Sequence, residues 1–79
     1  MIEPRLKNVI LRQLNLEDFE INEATIAPQV PGWDSLTHVQ VLAAVEKEFA
    51  VRFRSLEVLR LKNVGDLQTL VTRKMQQQP

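Results

Sequence analysis

The chain has 79 residues, ten basic and ten acidic side chains that balance to zero net charge, and no cysteine. This length supports one small domain with too little interior for a deep catalytic cleft. Because a basic excess is missing, nucleic-acid binding is not expected, and without cysteine there is neither a disulfide framework nor a thiolate metal site. With 44% hydrophobic residues, the composition is that of a folded domain rather than a disordered chain.

The sequence shows no feature of export or membrane insertion. Residues 1–4 lack the basic and apolar stretches of a signal peptide, and no apolar run reaches the length of a membrane span. We therefore expect a cytoplasmic, monomeric protein in which residues 1–79 form a single domain. Residues 76–79 are expected to be a frayed polar tail.

The first predicted element is an amphipathic helix over residues 3–14. Pro4 suits the first turn of a helix, where its missing N–H costs nothing. Apolar residues then recur at intervals of three and four, and polar residues fill the opposite face. The apolar residues are Leu6, Val9, Ile10, Leu11 and Leu14.

Residues 15–33 break this helical pattern. Pro28 and Pro31 rule out a long uninterrupted helix there. Because a structureless loop of this length is unusual in a compact domain, it must either contain a short helical turn or be tied down by apolar side chains. We predict that Ile26 and Val30 are these anchors.

The stretch Gly32-Trp33-Asp34-Ser35-Leu36 opens the second predicted helix, over residues 35–49. Asp34 and Ser35 are residue types that cap helix N-termini, and neither Gly nor Pro occurs before the helix ends. A stripe of apolar residues at helical spacing predicts its buried face. The stripe contains Leu36, Val39, Val41, Leu42, Val45 and Phe49.

The last third of the chain predicts an extended connector, a short helix and a final helix. The connector buries Val51 and Phe53, since no second strand exists to pair with them. Ser55 is the predicted N-cap of the short helix, which runs to Arg60, and Asp66 lies in the first turn of the final helix. The apolar residues are Leu56, Val58, Leu59 and Leu61 in the short helix and Val64, Leu67, Leu70 and Val71 in the final one, which ends near Arg73 and Lys74.

Three main helices, one short helix and a long first loop, without strands, predict an all-α four-helix bundle. Three segments also resemble the acyl carrier protein family. They are Gly-x-Asp-Ser-Leu at residues 32–36, Glu46-Lys47-Glu48-Phe49 at the end of the second helix, and Asn63-Val64-Gly65-Asp66-Leu67 at the start of the last. The resemblance implies a bundle whose Ser35 hydroxyl receives 4′-phosphopantetheine from coenzyme A, in a reaction catalysed by a separate transferase.

The resemblance also assigns roles around this serine. Ser35, Asp34 and Leu36 form the attachment site, and Asp34 helps position the metal and coenzyme A in the transferase complex. A phosphate here is expected to meet free backbone N–H groups and the positive end of the helix dipole. Besides the transferase, the implied partners are an acyl- or aminoacyl-loading ligase and downstream transferase or synthase enzymes. The expected partner-binding residues are Trp33, Leu36, Val39, Gln40, Ala43 and Arg54.

The charge of this sequence departs from that of the carriers of primary fatty-acid synthesis, which are strongly acidic. From Asp34 to Lys62 there are four acidic and five basic residues. Partners that dock through a basic patch lose most of their electrostatic steering on such a surface. The Gly-Trp-Asp-Ser-Leu-x-His form looks more like stand-alone carriers of specialised pathways, such as polyketide, modified-lipid, surface-polysaccharide or aminoacyl-transfer systems.

Other interpretations fit parts of the pattern. Asp34, Ser35 and His38 suggest a hydrolase, but nothing supplies a nucleophile elbow, an oxyanion hole or a cleft, so we predict no catalytic residue and no enzyme activity. His38 is expected in solvent or at a partner contact, not in a metal site, and Trp33 either packs on the loop or contacts the arm or a partner. A peptidyl or aminoacyl carrier is one alternative. A small helical adaptor without a prosthetic group, in which Ser35 is only a helix cap, is another.

Overall fold

The computed structural model describes residues 2–76, which form four α-helices and no strand. The helices are α1 (Pro4–Gln13), α2 (Ser35–Phe49), α3 (Ser55–Leu59) and α4 (Val64–Gln76), and a 3₁₀ turn at Ala27–Gln29 lies between α1 and α2. The all-α four-helix bundle is thereby confirmed. Of the predicted tail, Gln76 belongs to α4, and residues 77–79 lie outside the described range.

Helix starts are set by side chains that accept hydrogen bonds from the first turn, whose N–H groups have no partner inside the helix. Glu3 accepts from the N–H of Leu6 at 3.1 Å in α1, and Asn63 accepts from the N–H of Asp66 at 2.8 Å in α4. The predicted N-cap of α3 is wrong by one residue. Ser55 is already helical, and Arg54 occupies the cap position.

The core is built from the apolar faces of α1, α2 and α4. All predicted apolar residues of α1 and α4 are buried, and so are Val41, Leu42, Val45 and Phe49 of α2. The predicted stripe of α2 is wrong for Leu36 and Val39, which are 71% and 66% exposed. At 100° per residue these two side chains point away from the centre of the buried face, so the other helices do not cover them.

The long loop is tied to α4 by backbone hydrogen bonds. The N–H groups of Val64 and Gly65 donate to the carbonyls of Thr25 and Glu23, each at 2.9 Å. A Cβ atom on Gly65 would lie 2.9 Å from both Cβ and the carbonyl oxygen of Glu23. The loop can therefore approach α4 this closely only because residue 65 is glycine.

The apolar anchors of the loop differ in part from those predicted. Val30 is buried, as expected, but Ile26 is 39% exposed and is not an anchor. Ile21 and Thr25 are buried instead. The Thr25 hydroxyl accepts from the N–H of Asn22 at 2.9 Å, and this turn directs Thr25 inward and the following residue outward.

Residues 51–54, between α2 and α3, form neither helix nor strand, and the backbone of Arg54 is extended. Val51 is buried and Phe53 half-buried. Helix α3 adds little to the core, because Leu56 and Leu59 are 71% and 78% exposed. An ion pair of 2.8 Å between Glu57 and Lys74 joins α3 to α4. No helix within residues 2–76 has both the length and the apolar character needed to cross a membrane.

Candidate functional site

The N-terminus of α2 is capped by one oxygen atom of Asp34. Its Oδ1 accepts hydrogen bonds from the backbone N–H groups of Leu36 and Thr37, both at 3.0 Å. In return, Thr37 Oγ1 accepts from the N–H of Asp34 at 2.8 Å and donates to the carbonyl of Gly32 at 2.7 Å. This reciprocal capping box fixes the chain direction at the helix start.

The same contacts keep Asp34 ionised. The hydrogen bond from the backbone N–H of Thr37 is the main cause that lowers the pKa of Asp34 below its usual value. Desolvation opposes it, and the N–H of Leu36 and the hydroxyl of Thr37 lower the pKa further. At neutral pH a negative charge therefore stands at the positive end of the α2 dipole.

Ser35 is the first residue of α2, and its side chain is exposed. No hydrogen bond to its hydroxyl is formed by any residue from 2 to 76. Asp34 supplies the cap, as the sequence allowed, so the interpretation of Ser35 as only a helix cap is wrong.

The expectation that a phosphate here meets several free N–H groups is wrong in part. Asp34 Oδ1 already occupies the N–H groups of Leu36 and Thr37. Within the described range, the N–H of Ser35 is the donor of this first turn that keeps no partner. The sequence identified the cap but did not show that one carboxylate oxygen would take two of the donors.

Trp33 and His38 form a pair beside this serine that the sequence did not predict. The indole Nε1–H of Trp33 donates to Nδ1 of His38 at 3.0 Å, and the ring centroids lie 6.0 Å apart. Trp33 is 8% exposed, which favours packing on the loop over contact with a partner. His38 is half-buried rather than freely solvated. The five-residue spacing across the helix start is the one signal that could have indicated the pair.

A small cavity of about 50 Å³ lies beneath this pair, lined also by Leu42 of α2 and by Val64 and Leu67 of α4. The connection between α3 and α4 contributes Lys62 and Asn63, among others, to its lining. Elsewhere in residues 2–76, no three His, Cys, Asp or Glu side chains are grouped closely enough to hold a metal ion.

Four of the five remaining predicted partner residues share one face of α2. Leu36, Val39, Gln40 and Ala43 follow the 3- and 4-residue spacing of a helix face and are all exposed. Arg54, in the connection to α3, is exposed as well. We call these five residues the α2 face. It begins beside Ser35 and combines apolar with polar side chains.

The comparisons with known proteins agree with this arrangement. No protein-family model matches the chain. The chain is 31% identical over 62 residues to a protein named acyl carrier protein from Wolinella succinogenes, a match that covers 78% of this chain and 82% of that relative. It also resembles the solution structure of a holo acyl carrier protein from Geobacter metallireducens, with a TM-score of 0.84 and 28% identity over 94% of this chain and 88% of that one. The chain therefore belongs to the acyl carrier protein family, whose members are carriers and not enzymes.

Proposed function

We propose that Ser35 carries a 4′-phosphopantetheine arm, which a separate transferase adds from coenzyme A and which tethers acyl groups as thioesters. The observation that carries this proposal is the exposed Ser35 hydroxyl, left without a hydrogen bond among residues 2–76 because Asp34 caps the helix. Membership of the family supports such a prosthetic group. Because the chain has no cysteine, the arm supplies the thiol that a thioester requires.

Asp34 is suited to the transferase step. Its Oδ1 makes the hydrogen bonds to the helix, whereas Oδ2 has no partner among the residues that the structure describes. An ionised oxygen beside the reacting hydroxyl can help position the metal ion of the transferase complex. This assignment makes Asp34 a binding residue for the transferase reaction in addition to a helix cap.

The α2 face is the proposed docking surface for partner enzymes, namely the transferase, a loading ligase and downstream transferases or synthases. Leu36 and Val39 provide its exposed apolar part, and Gln40, Ala43 and Arg54 are its other exposed residues. An apolar patch bounded by polar groups is the usual composition of a protein-binding surface. We propose a monomer that meets these enzymes in the cytoplasm.

The near-neutral charge between Asp34 and Lys62 supports a role in a specialised lipid, polyketide or aminoacyl-transfer pathway rather than in primary fatty-acid synthesis. The cargo is tethered to the arm and is selected by the loading enzyme. An aminoacyl cargo is therefore the alternative within the same carrier mechanism.

The proposal is tested by intact-mass analysis after incubation of the protein with coenzyme A, magnesium and a broad-specificity phosphopantetheinyl transferase. We expect the mass to increase by one phosphopantetheine. The Ser35→Ala variant should show no increase and should keep its helical content by circular dichroism, because the cap hydrogen bonds come from Asp34.

Ser55→Ala is the matched control, since Ser55 is the other serine of the chain and is also an exposed first residue of a helix. This variant should be modified as fully as the parent. If several transferases leave the parent protein unmodified, the helical adaptor becomes the better explanation. If Ser35→Ala is modified, the group is attached at another residue and the proposed attachment site is wrong.

A further inference from the structure

We infer that His38 is a positioning residue for the arm, and that its Nε2–H donates a hydrogen bond to the phosphate group attached to Ser35. This inference rests on the proposed modification of Ser35. It concerns the hydrogen-bond donors around the phosphate, whose number is reduced because Asp34 caps α2.

The first turn of α2 has few donors left for a phosphate. The N–H groups of Leu36 and Thr37 are bonded to Asp34 Oδ1, and the N–H of His38 donates to the Asp34 carbonyl at 2.8 Å. Asp34 also contributes a negative charge next to the attachment point, and this charge repels a phosphate. Another donor near Ser35 therefore has to come from a side chain.

His38 has such a donor because of its bond to Trp33. An indole N–H can only donate, so the Nδ1 atom that accepts it at 3.0 Å must carry a lone pair. The neutral imidazole then carries its proton on Nε2. No residue between 2 and 76 accepts a hydrogen bond from this Nε2–H.

The position of His38 on α2 brings this donor toward Ser35. Residues three apart on a helix have Cβ atoms about 5–6 Å from each other. Helical side chains also lean toward the N-terminus, a tendency that favours an imidazole directed at the first turn of α2. The hydrogen bond from the buried Trp33 holds the ring in one orientation, as outer partners orient the histidine ligands of metal sites.

The experiment compares the unmodified and modified forms of the ¹⁵N-labelled protein by nuclear magnetic resonance. On modification, we expect the Nε2–H resonance of His38 to shift and its exchange with water to slow by about 2–10-fold, the range that one net hydrogen bond produces. The indole N–H resonance of Trp33 should keep its chemical shift. An unchanged His38 imidazole in a protein whose mass shows full modification would overturn the inference and leave the proposed function intact.

Three variants separate a hydrogen bond to the phosphate from a general packing effect. In His38→Ala, the ³¹P resonance of the phosphodiester should move toward that of free phosphopantetheine. His38→Gln should restore the parent spectrum, because a carboxamide can accept from Trp33 and donate to the phosphate. Lys62→Met tests the cation that lines the same cavity. A ³¹P shift that follows Lys62 and not His38 would contradict the assignment, and absence of any mass increase would instead refute the proposed function.

Discussion

Asp34 has two effects at the start of α2 that act on different parts of the site. Through Oδ1 it satisfies two backbone N–H groups and stabilises the helix start. Through its charge it can help position the metal ion of the transferase complex beside the Ser35 hydroxyl. Substitutions that remove one effect and keep the other can separate capping from participation in the transferase reaction.

We expect Asp34→Asn and Asp34→Ala to differ in stability but not in their modification by the transferase. Asparagine caps helices as well as aspartate does, so Asp34→Asn should keep the urea midpoint of the parent, whereas Asp34→Ala should lower it. Both variants should lose about tenfold or more in kcat/KM for addition of phosphopantetheine, because neither has the carboxylate. If Asp34→Asn is modified at the parent rate, Asp34 is a helix cap and not a metal-positioning group.

At the scale of elements, the contact between the loop and α4 depends on one glycine. Gly65→Ala places a methyl group 2.9 Å from Glu23, so the loop or the helix must shift. We expect a loss of about 1–3 kcal/mol in the free energy of unfolding, which urea denaturation measures. The amide protons of residues 64 and 65, which bond to loop carbonyls, should exchange faster with water in Gly65→Ala than in the parent.

Thr69→Ala is the control for this prediction, because residue 69 is exposed on the same helix. Its effect should stay within about 0.5 kcal/mol. Equal stabilities for Gly65→Ala and Thr69→Ala would show that the loop adapts to the added methyl group without cost.

The proposed role of the α2 face in docking can also be measured. Val39→Asp introduces a charge into its apolar part, and we expect kcat/KM for the transferase to fall by about fivefold or more. The helix should remain folded, since Val39 is 66% exposed. Met75→Asp, at an exposed apolar residue of α4, should leave the rate unchanged. A similar loss in both variants would indicate a general effect of charge and would remove the evidence for docking on α2.

Predictions from the sequence succeeded where one residue type has one strong local preference. The bounds of α2 follow from Asp34 as a cap and from the absence of Gly and Pro up to Phe49. The loop was less predictable because backbone hydrogen bonds from Val64 and Gly65 to the carbonyls of Thr25 and Glu23 set its path, and no side-chain pattern encodes them. The prediction that Ile26 anchors the loop was wrong for this reason.

The capping role of the candidate site was predictable in part, but its contacts were not. Residue type placed Asp34 and Ser35 at the start of α2, and the family resemblance proposed Ser35 as the attachment site. The structure shows a capping carboxylate next to an exposed hydroxyl. The bond from Trp33 to His38 was missed, because two rings five residues apart meet only when the turn before α2 has its particular geometry. The partner surface remains a prediction.

For the whole molecule, the ionised carboxylates make the stability depend on pH in the acidic range. The hydrogen bond from Lys74 is the main cause that lowers the pKa of Glu57, and the N–H of Arg54 adds to it. Asp34 also has a lowered pKa. A group whose pKa is lower in the folded than in the unfolded chain binds fewer protons when folded, so its stabilisation is complete above the unfolded pKa and is lost as pH falls through the folded pKa.

We therefore expect the melting temperature to be constant near neutral pH and to fall as the pH drops below about 4. The double variant Asp34→Asn with Glu57→Gln should show a shallower fall, because neither side chain can take up a proton in this range. Glu20→Gln, at an exposed loop position, should retain the slope of the parent. The measurement is a series of melting curves by circular dichroism. Equal slopes for the parent and the double variant would mean that other carboxylates, and not these two at the starts of α2 and α3, control unfolding in acid.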